Sequence, residues 1–154
     1  HFDHIFGCQW AYETFGICPM LHPADEHRYL HAGEELQLFL HQRVEIPVPS
    51  LAAYLVDGQK LSFGNHDFEV IATPGHTPGG VCFYCATEKV LITGDSLFDG
   101  SIGRFDLLEG DMETLIQSLQ TRVMTLPDDV RIYPGHGRSS TIGHERTSNP
   151  YLIS

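Results

Sequence analysis

Two segments of this chain run from a β-branched stretch straight into Pro-Gly-His: Val70-Ile71-Ala72-Thr73 leads into Pro74-Gly75-His76, and Val130-Arg131-Ile132-Tyr133 into Pro134-Gly135-His136. Proline stops a sheet ladder because it has no N–H to donate, and glycine allows turns that other residues resist. Each histidine is therefore presented at a strand end. A third apolar run, Val90-Leu91-Ile92-Thr93, ends comparably in Gly94-Asp95. Strands of this kind carry polar side chains at their tips, where open α/β sheets place their chemistry. The chain also opens on His1-Phe2-Asp3-His4, which adds further ligand-type side chains.

The remaining segments supply the elements such a sheet needs. Asp57-Gly58 and Gly64-Asn65 bracket a short strand near 59–63. Strands follow over 66–72, with Phe68, Val70 and Ala72 on one face, and over 81–86, 89–93 and 130–133. A short helix over 8–16 ends at Gly16, and one or two amphipathic helices cover 24–43 with Tyr29, Leu30, Leu36, Phe39 and Leu40 as their apolar stripe. Asp111 caps a helix whose apolar positions are Met112, Leu115, Ile116, Leu119 and Val123, and Ser139 or Ser140 starts a last short one. No stretch reads as a linker. The expectation is a single α/β domain spanning all 154 residues.

Charge narrows the partners. Lys and Arg total 9 against 20 Asp and Glu, a net charge of -11 that repels phosphate backbones, so nucleic acid is not an expected partner. No apolar run approaches the roughly 18–20 residues of a membrane span, which removes a membrane partner as well. Cys8, Cys18, Cys82 and Cys85 read as reduced thiols in or near a core, since Cys82 and Cys85 face opposite sides of one strand; that points to a reducing, cytoplasmic setting. The chain begins without methionine, which leaves room for an earlier segment that was cut away or left out.

The 10 histidines outnumber the 9 lysines and arginines, and position separates them. His22, His27, His31 and His41 lie in or beside a charged helical stretch and read as solvated, and His66 and His144 receive no role. His1, Asp3, His4, His76, Asp95 and His136 are different, because imidazole and carboxylate at turns and strand ends suit divalent cations: zinc first, iron or manganese as alternatives. One ion needs about four protein ligands, so this set suggests two ions, with Asp95 as a bridging carboxylate and hydroxide in the other bridge. The implied reaction is hydrolysis.

These motifs, in this order, resemble the metallo-β-lactamase superfamily. His1-x-Asp3-His4 is similar to the back end of its HxHxDH signature, followed by Gly75-His76-Thr77-Pro78-Gly79-Gly80, Gly94-Asp95-Ser96-Leu97-Phe98 and Pro134-Gly135-His136-Gly137. The resemblance implies an αββα sandwich whose first strands, and whose first ligand histidine, would precede His1. It implies His1, His76 and Asp95 at one metal, and Asp3, His4, His136 and the shared Asp95 at the second, with Asp3 also orienting the nucleophile. Gly103-Arg104 and the tail Glu145…Asn149-Pro150-Tyr151-Leu152 look most like small hydrolases of the glyoxalase II type without the C-terminal helical domain. The implied substrate is a small-molecule thioester, as in hydroxyacylglutathione hydrolases, with glutathione specificity itself unsupported. A thiolate, with pKa near 8.5, departs with little help from an acid.

Rival readings differ in what they require. An iron-dependent persulfide dioxygenase shares the ligand set. A β-lactamase of this fold usually lacks the bridging aspartate. A metal-poor chain that binds without turnover is the non-enzymatic alternative. Two local features stay open: Arg104 with Asp106 is either a loop clamp or faces an anionic substrate, with Phe105 where relatives often carry threonine. Glu145 reads as a helix-surface charge, although the resemblance hints that its tail folds back near the site.

Overall fold

The computed structural model describes residues 1–42 and 44–153, the side chain of Phe39 excepted. Arg43, the last residue of the predicted helical stretch, and the Phe39 side chain on its stripe therefore lie outside the described residues. The chain forms two compact units, His1–Leu55 and Val56–Ser154.

In the first unit, a 3-10 turn at Phe2–His4 leads into α1 (Cys8–Phe15). Gly16, at φ 68, ends α1 by donating its N–H to Tyr12 O, as its sequence predicts. The stretch predicted as one or two helices is two: α2 (Glu26–Leu30) and α3 (Ala32–Leu40) meet at His31, whose φ of -116 breaks the helical path. Ile5, Tyr29 and Ala32 are buried together against Phe2, Cys8, Leu21, Ile46, Val48 and Leu51, and the Tyr29 hydroxyl donates to Pro49 O at 2.6 Å. Two strands too short to show periodicity, β1 (Met20–Leu21) and β2 (Ala53–Tyr54), pair in parallel. His27, His31 and His41 are exposed as expected, while His22 is half-buried and accepts from Ala24 N.

The second unit is a sheet with helices against it. β3 (Lys60–Phe63) and β4 (His66–Ala72) form a hairpin across Gly64-Asn65, in register Phe63↔His66. β5 (Val81–Cys85) and β6 (Val90–Gly94) continue antiparallel. A short hairpin follows, β7 (Leu97–Phe98) with β8 (Ser101–Ile102), then α4 (Met112–Ser118) and a π-helical turn at Leu119–Val123. This crossover returns the chain as β9 (Arg131–Pro134), parallel to β6, and β10 (Ser140–Thr141) pairs beside it. The six-stranded order is β10-β9-β6-β5-β4-β3. Asp111 caps α4 by accepting Thr114 N at 2.7 Å, and Leu115, Leu119 and Val123 are fully buried, as the apolar spacing requires.

Three expectations are corrected. Ser139 and Ser140 do not start the last helix: Ser140 pairs in β10, and Thr141 caps α5 (Ile142–Ser148) by accepting His144 N. The alternation of β4 breaks at its end, where Val70 and Ile71 are both buried because both faces are covered there. Glu145 is not a surface charge but fully buried. Its carboxylate accepts from Gly100 N at 2.9 Å, from Asn149 Nδ2 at 2.8 Å and from Ser140 Oγ, and so ties α5 to the β7–β8 hairpin.

Candidate metal centre

Strand direction brings the three tips together. β6 is parallel to β9 and antiparallel to β5, and β4 is antiparallel to β5, so β4, β6 and β9 all end on the same edge of the sheet. His76, Asp95 and His136 follow those three ends. Hydrogen bonds between the turns hold them there. Gly135 N donates to Gly94 O at 2.8 Å, and the buried hydroxyls of Thr73 and Ser96 meet at 2.8 Å beneath His76 and Asp95. Asp111 N donates to Gly75 O at 2.8 Å, and Ser118 Oγ to Pro74 O at 2.9 Å, so α4 also braces the turn that carries His76. Gly75 sits at φ 134 with Leu115 so close that an added Cβ would lie 2.3 Å from its backbone N, which admits no other residue.

The side chains converge on one carboxylate oxygen. His76 Nε2 lies 3.8 Å and His136 Nε2 3.5 Å from Asp95 Oδ2. The His76 and Asp95 side chains are 11% and 14% exposed, whereas His136 is 57% exposed, so the site is buried on one side and open on the other. His76 Nδ1 lies 2.7 Å from Arg104 O, a carbonyl that can only accept, so Nδ1 carries the proton. In the neutral ring with that tautomer, the Nε2 lone pair lies on the side of Asp95. A divalent cation would complete such an arrangement, since two ligands on one tetrahedral ion at about 2.0–2.1 Å stand roughly 3.3–3.5 Å apart. A ring N–H held by a backbone carbonyl is also the usual support for a metal-ligating histidine. The donor set fits a divalent metal.

In the first unit, His4 Nε2 lies 3.6 Å from Asp3 Oδ2, both half-exposed. The His1 ring, 8% exposed, faces Glu35 Oε1 at 3.3 Å and Arg28 Nη1 at 3.5 Å, and Arg28 pairs with the same Glu35 oxygen at 3.2 Å. Arg28 and Glu35 gave no signal in the sequence, because the contact spans many residues within a run of ordinary helix-surface charges. Thr73, Ser96 and Gly103 are visible in the sequence only as parts of motifs, because each acts through a neighbour distant in sequence.

A second group of ligand-type atoms, on Asp99, His144 and Glu145, lies within 4.8 Å in the second unit. Glu145 is already engaged by three donors there, and Asp99 faces Arg138 and His144, so the group reads as a staple of the fold. Burial pushes the Cys82 thiol up to about 11, which keeps it neutral and unreactive, and Cys8 is raised for the same reason. All four cysteines are free thiols.

Residues 1–136 match the family model of the metallo-beta-lactamase superfamily. The chain belongs to that superfamily. Hydroxyacylglutathione hydrolase GloC of Haemophilus influenzae is 36% identical over 165 residues, covering 100% of this chain and 73% of that protein. The probable metallo-hydrolase YqgX of Bacillus subtilis is 34% identical over 153 residues, covering 99% and 72%. Among solved structures, the BLEG-1 B3 metallo-beta-lactamase aligns with TM-score 0.90 at 36% identity, covering 100% of this chain and 74% of that one. TTHA1623 in a di-iron-bound form aligns with TM-score 0.88 at 36% identity, covering 99% and 73%. The expected metallo-β-lactamase fold is confirmed, and the superfamily is one of metal-binding hydrolases. Among the described residues, no helix is long and apolar enough to cross a membrane.

Proposed function

We propose that this protein is a binuclear metal-dependent thioesterase acting on a small-molecule thioester of the hydroxyacylglutathione type. The observation that carries the metal chemistry is the locked His76 tautomer aimed, together with His136, at one oxygen of Asp95. The likeness to GloC, over the whole of this chain, supports the thioester. His1, His76 and Asp95 are proposed to hold one ion, and Asp3, His4, His136 and the shared Asp95 the other; the three N-terminal residues enter on the sequence motif alone. Zinc is the proposed metal, with iron the alternative that the di-iron form of TTHA1623 keeps in play.

A divalent cation bound there makes hydroxide available at neutral pH and polarises an acyl oxygen. The protein's own part is orientation. The Arg104 carbonyl fixes the His76 ring, the Thr73–Ser96 hydroxyl pair ties the turn after β4 to the turn after β6, and Asp95 supplies the charge on which both imidazoles converge. Once the acyl carbon is attacked, a thiolate leaves without a proton, so a donor set of lone pairs is sufficient. The charge of -11 argues against a nucleic-acid substrate, and the four free thiols favour a cytoplasmic, reducing setting.

Elemental analysis of the purified protein, paired with thiol release from S-lactoylglutathione, tests the proposal. About two ions per chain and a rate that collapses in Asp95→Asn are expected. Far less than one ion per chain, an undiminished Asp95→Asn rate, or oxygen uptake with glutathione persulfide in place of thioester cleavage would overturn it.

A further inference from the structure

The motif that the hydrolase reading leaves unexplained is Gly103-Arg104-Phe105-Asp106. Arg104 does not hold its charge out alone: Nε donates to Asp106 Oδ1 and Nη2 to Asp106 Oδ2, each at 3.0 Å, a fork closed across two residues. The backbone carbonyl of the same arginine takes the His76 Nδ1–H at 2.7 Å. The residues on either side are pinned. An added Cβ on Gly103 would lie 1.9 Å from Asp95 O and 3.0 Å from His76 Cβ and Cγ, so this backbone passes directly against both side chains' supports. Phe105 packs, half-buried, against the second unit's core, which accounts for an aromatic at that position. The Arg104 side chain is exposed, and the fork with Asp106 restrains it.

We propose that Arg104 is a positioning residue: its fork with Asp106 fixes the carbonyl that sets the tautomer and aim of the His76 imidazole, instead of gripping an anionic part of the substrate. The inference rests on His76 being a metal ligand. Both fork partners are well exposed, so breaking the fork leaves the fold standing and shows in the ring's orientation. Arg104→Lys keeps the charge but cannot make the planar fork, and Asp106→Asn keeps Arg104 whole but removes its anion.

Three variants of the full chain, Arg104→Lys, Asp106→Asn and the double, are compared for zinc affinity by chelator competition. The His76 ring N–H resonance is followed in zinc-stripped protein and assigned by its loss in His76→Gln. Disturbing the support of a ligating histidine lowers metal affinity about 10- to 100-fold. The expectation is a fall near the low end of that range in both single variants, a double variant no worse than either, a displaced or broadened ring N–H signal, and a lower kcat at unchanged KM. Thermal midpoints close to that of the parent show that the variants fold. Parent-like zinc affinity and ring N–H signal in both variants would overturn the proposal, as would a KM that rises in Arg104→Lys but not in Asp106→Asn. A parent protein that retains no zinc would refute the metal reading separately, and the ring N–H signal of the zinc-stripped variants would then decide this one.

Discussion

Replacing Glu145 by alanine removes a buried carboxylate that three donors share, and the structure allows the cost to be worked out. Gly100 N–H and one Asn149 amide hydrogen both end on Oε2, while Ser140 Oγ ends on Oε1; the other Asn149 amide hydrogen goes to Ser101 O at 3.1 Å. In Glu145→Ala the serine hydroxyl can rotate to another acceptor and water can reach the N–H of exposed Gly100, but half of the fully buried Asn149 amide is left without a partner. At about 1–3 kcal/mol for the stranded amide, together with the charge assistance lost by the other donors, the penalty is about 2–4 kcal/mol. Against a total stability of about 5–15 kcal/mol this is large, a fall in Tm of roughly 5–12 °C for a chain of this size. Glu145→Gln behaves differently. Its amide oxygen can take the Oε2 place and keep both donors, and its NH2 can donate to Ser140 Oγ, so the loss is about 1 kcal/mol. Urea and thermal unfolding of the two variants measure the contrast. An alanine variant within about 1 kcal/mol of the parent, or a glutamine variant as unstable as alanine, would refute this account of the staple.

Other perturbations reach the site or its supports. Gly103→Ala places a methyl where Asp95 O and His76 already lie; the backbone must move, at about 1–3 kcal/mol, and zinc affinity should drop with it, as chelator competition will show. The Cys82 thiol, pushed up to about 11 by burial, stays neutral in the native state while the unfolded chain ionises near 9. The fold is therefore fully stabilised by this group below about pH 9 and loses about 2–3 kcal/mol as pH rises to 11, a slope that Cys82→Ala should flatten in unfolding titrations. Native Cys82 should also resist iodoacetamide at pH 8, and its rapid labelling would contradict the burial. Hydrogen bonding to Thr114 holds the Asp111 carboxyl below the usual carboxylate range, so its contribution is present above about pH 4 and lost as pH falls further. Asp111→Ala should weaken that acid dependence and lower amide protection at the start of α4 in hydrogen exchange.

The parts of this protein that could be read without coordinates are those whose cause lies within a few residues. Proline and glycine ahead of His76 and His136 act on their own strand ends, Gly16 stops α1 with a bond to Tyr12, and Asp111 caps α4 three residues away, so each declares its structure locally. The order of those motifs also sufficed to recognise the superfamily. Strand direction was a tertiary decision: only the parallel return of β9 beside β6 puts His136 on the edge that carries His76 and Asp95. So was the fate of charged side chains. Glu145 looks like any helix carboxylate until the β7–β8 hairpin covers it with donors, and Arg104 like any exposed cation until its own carbonyl meets His76. A residue's type fixes what it can donate, accept or ligate; whether it is buried, and what faces it, depends on which distant segment the topology lays against it.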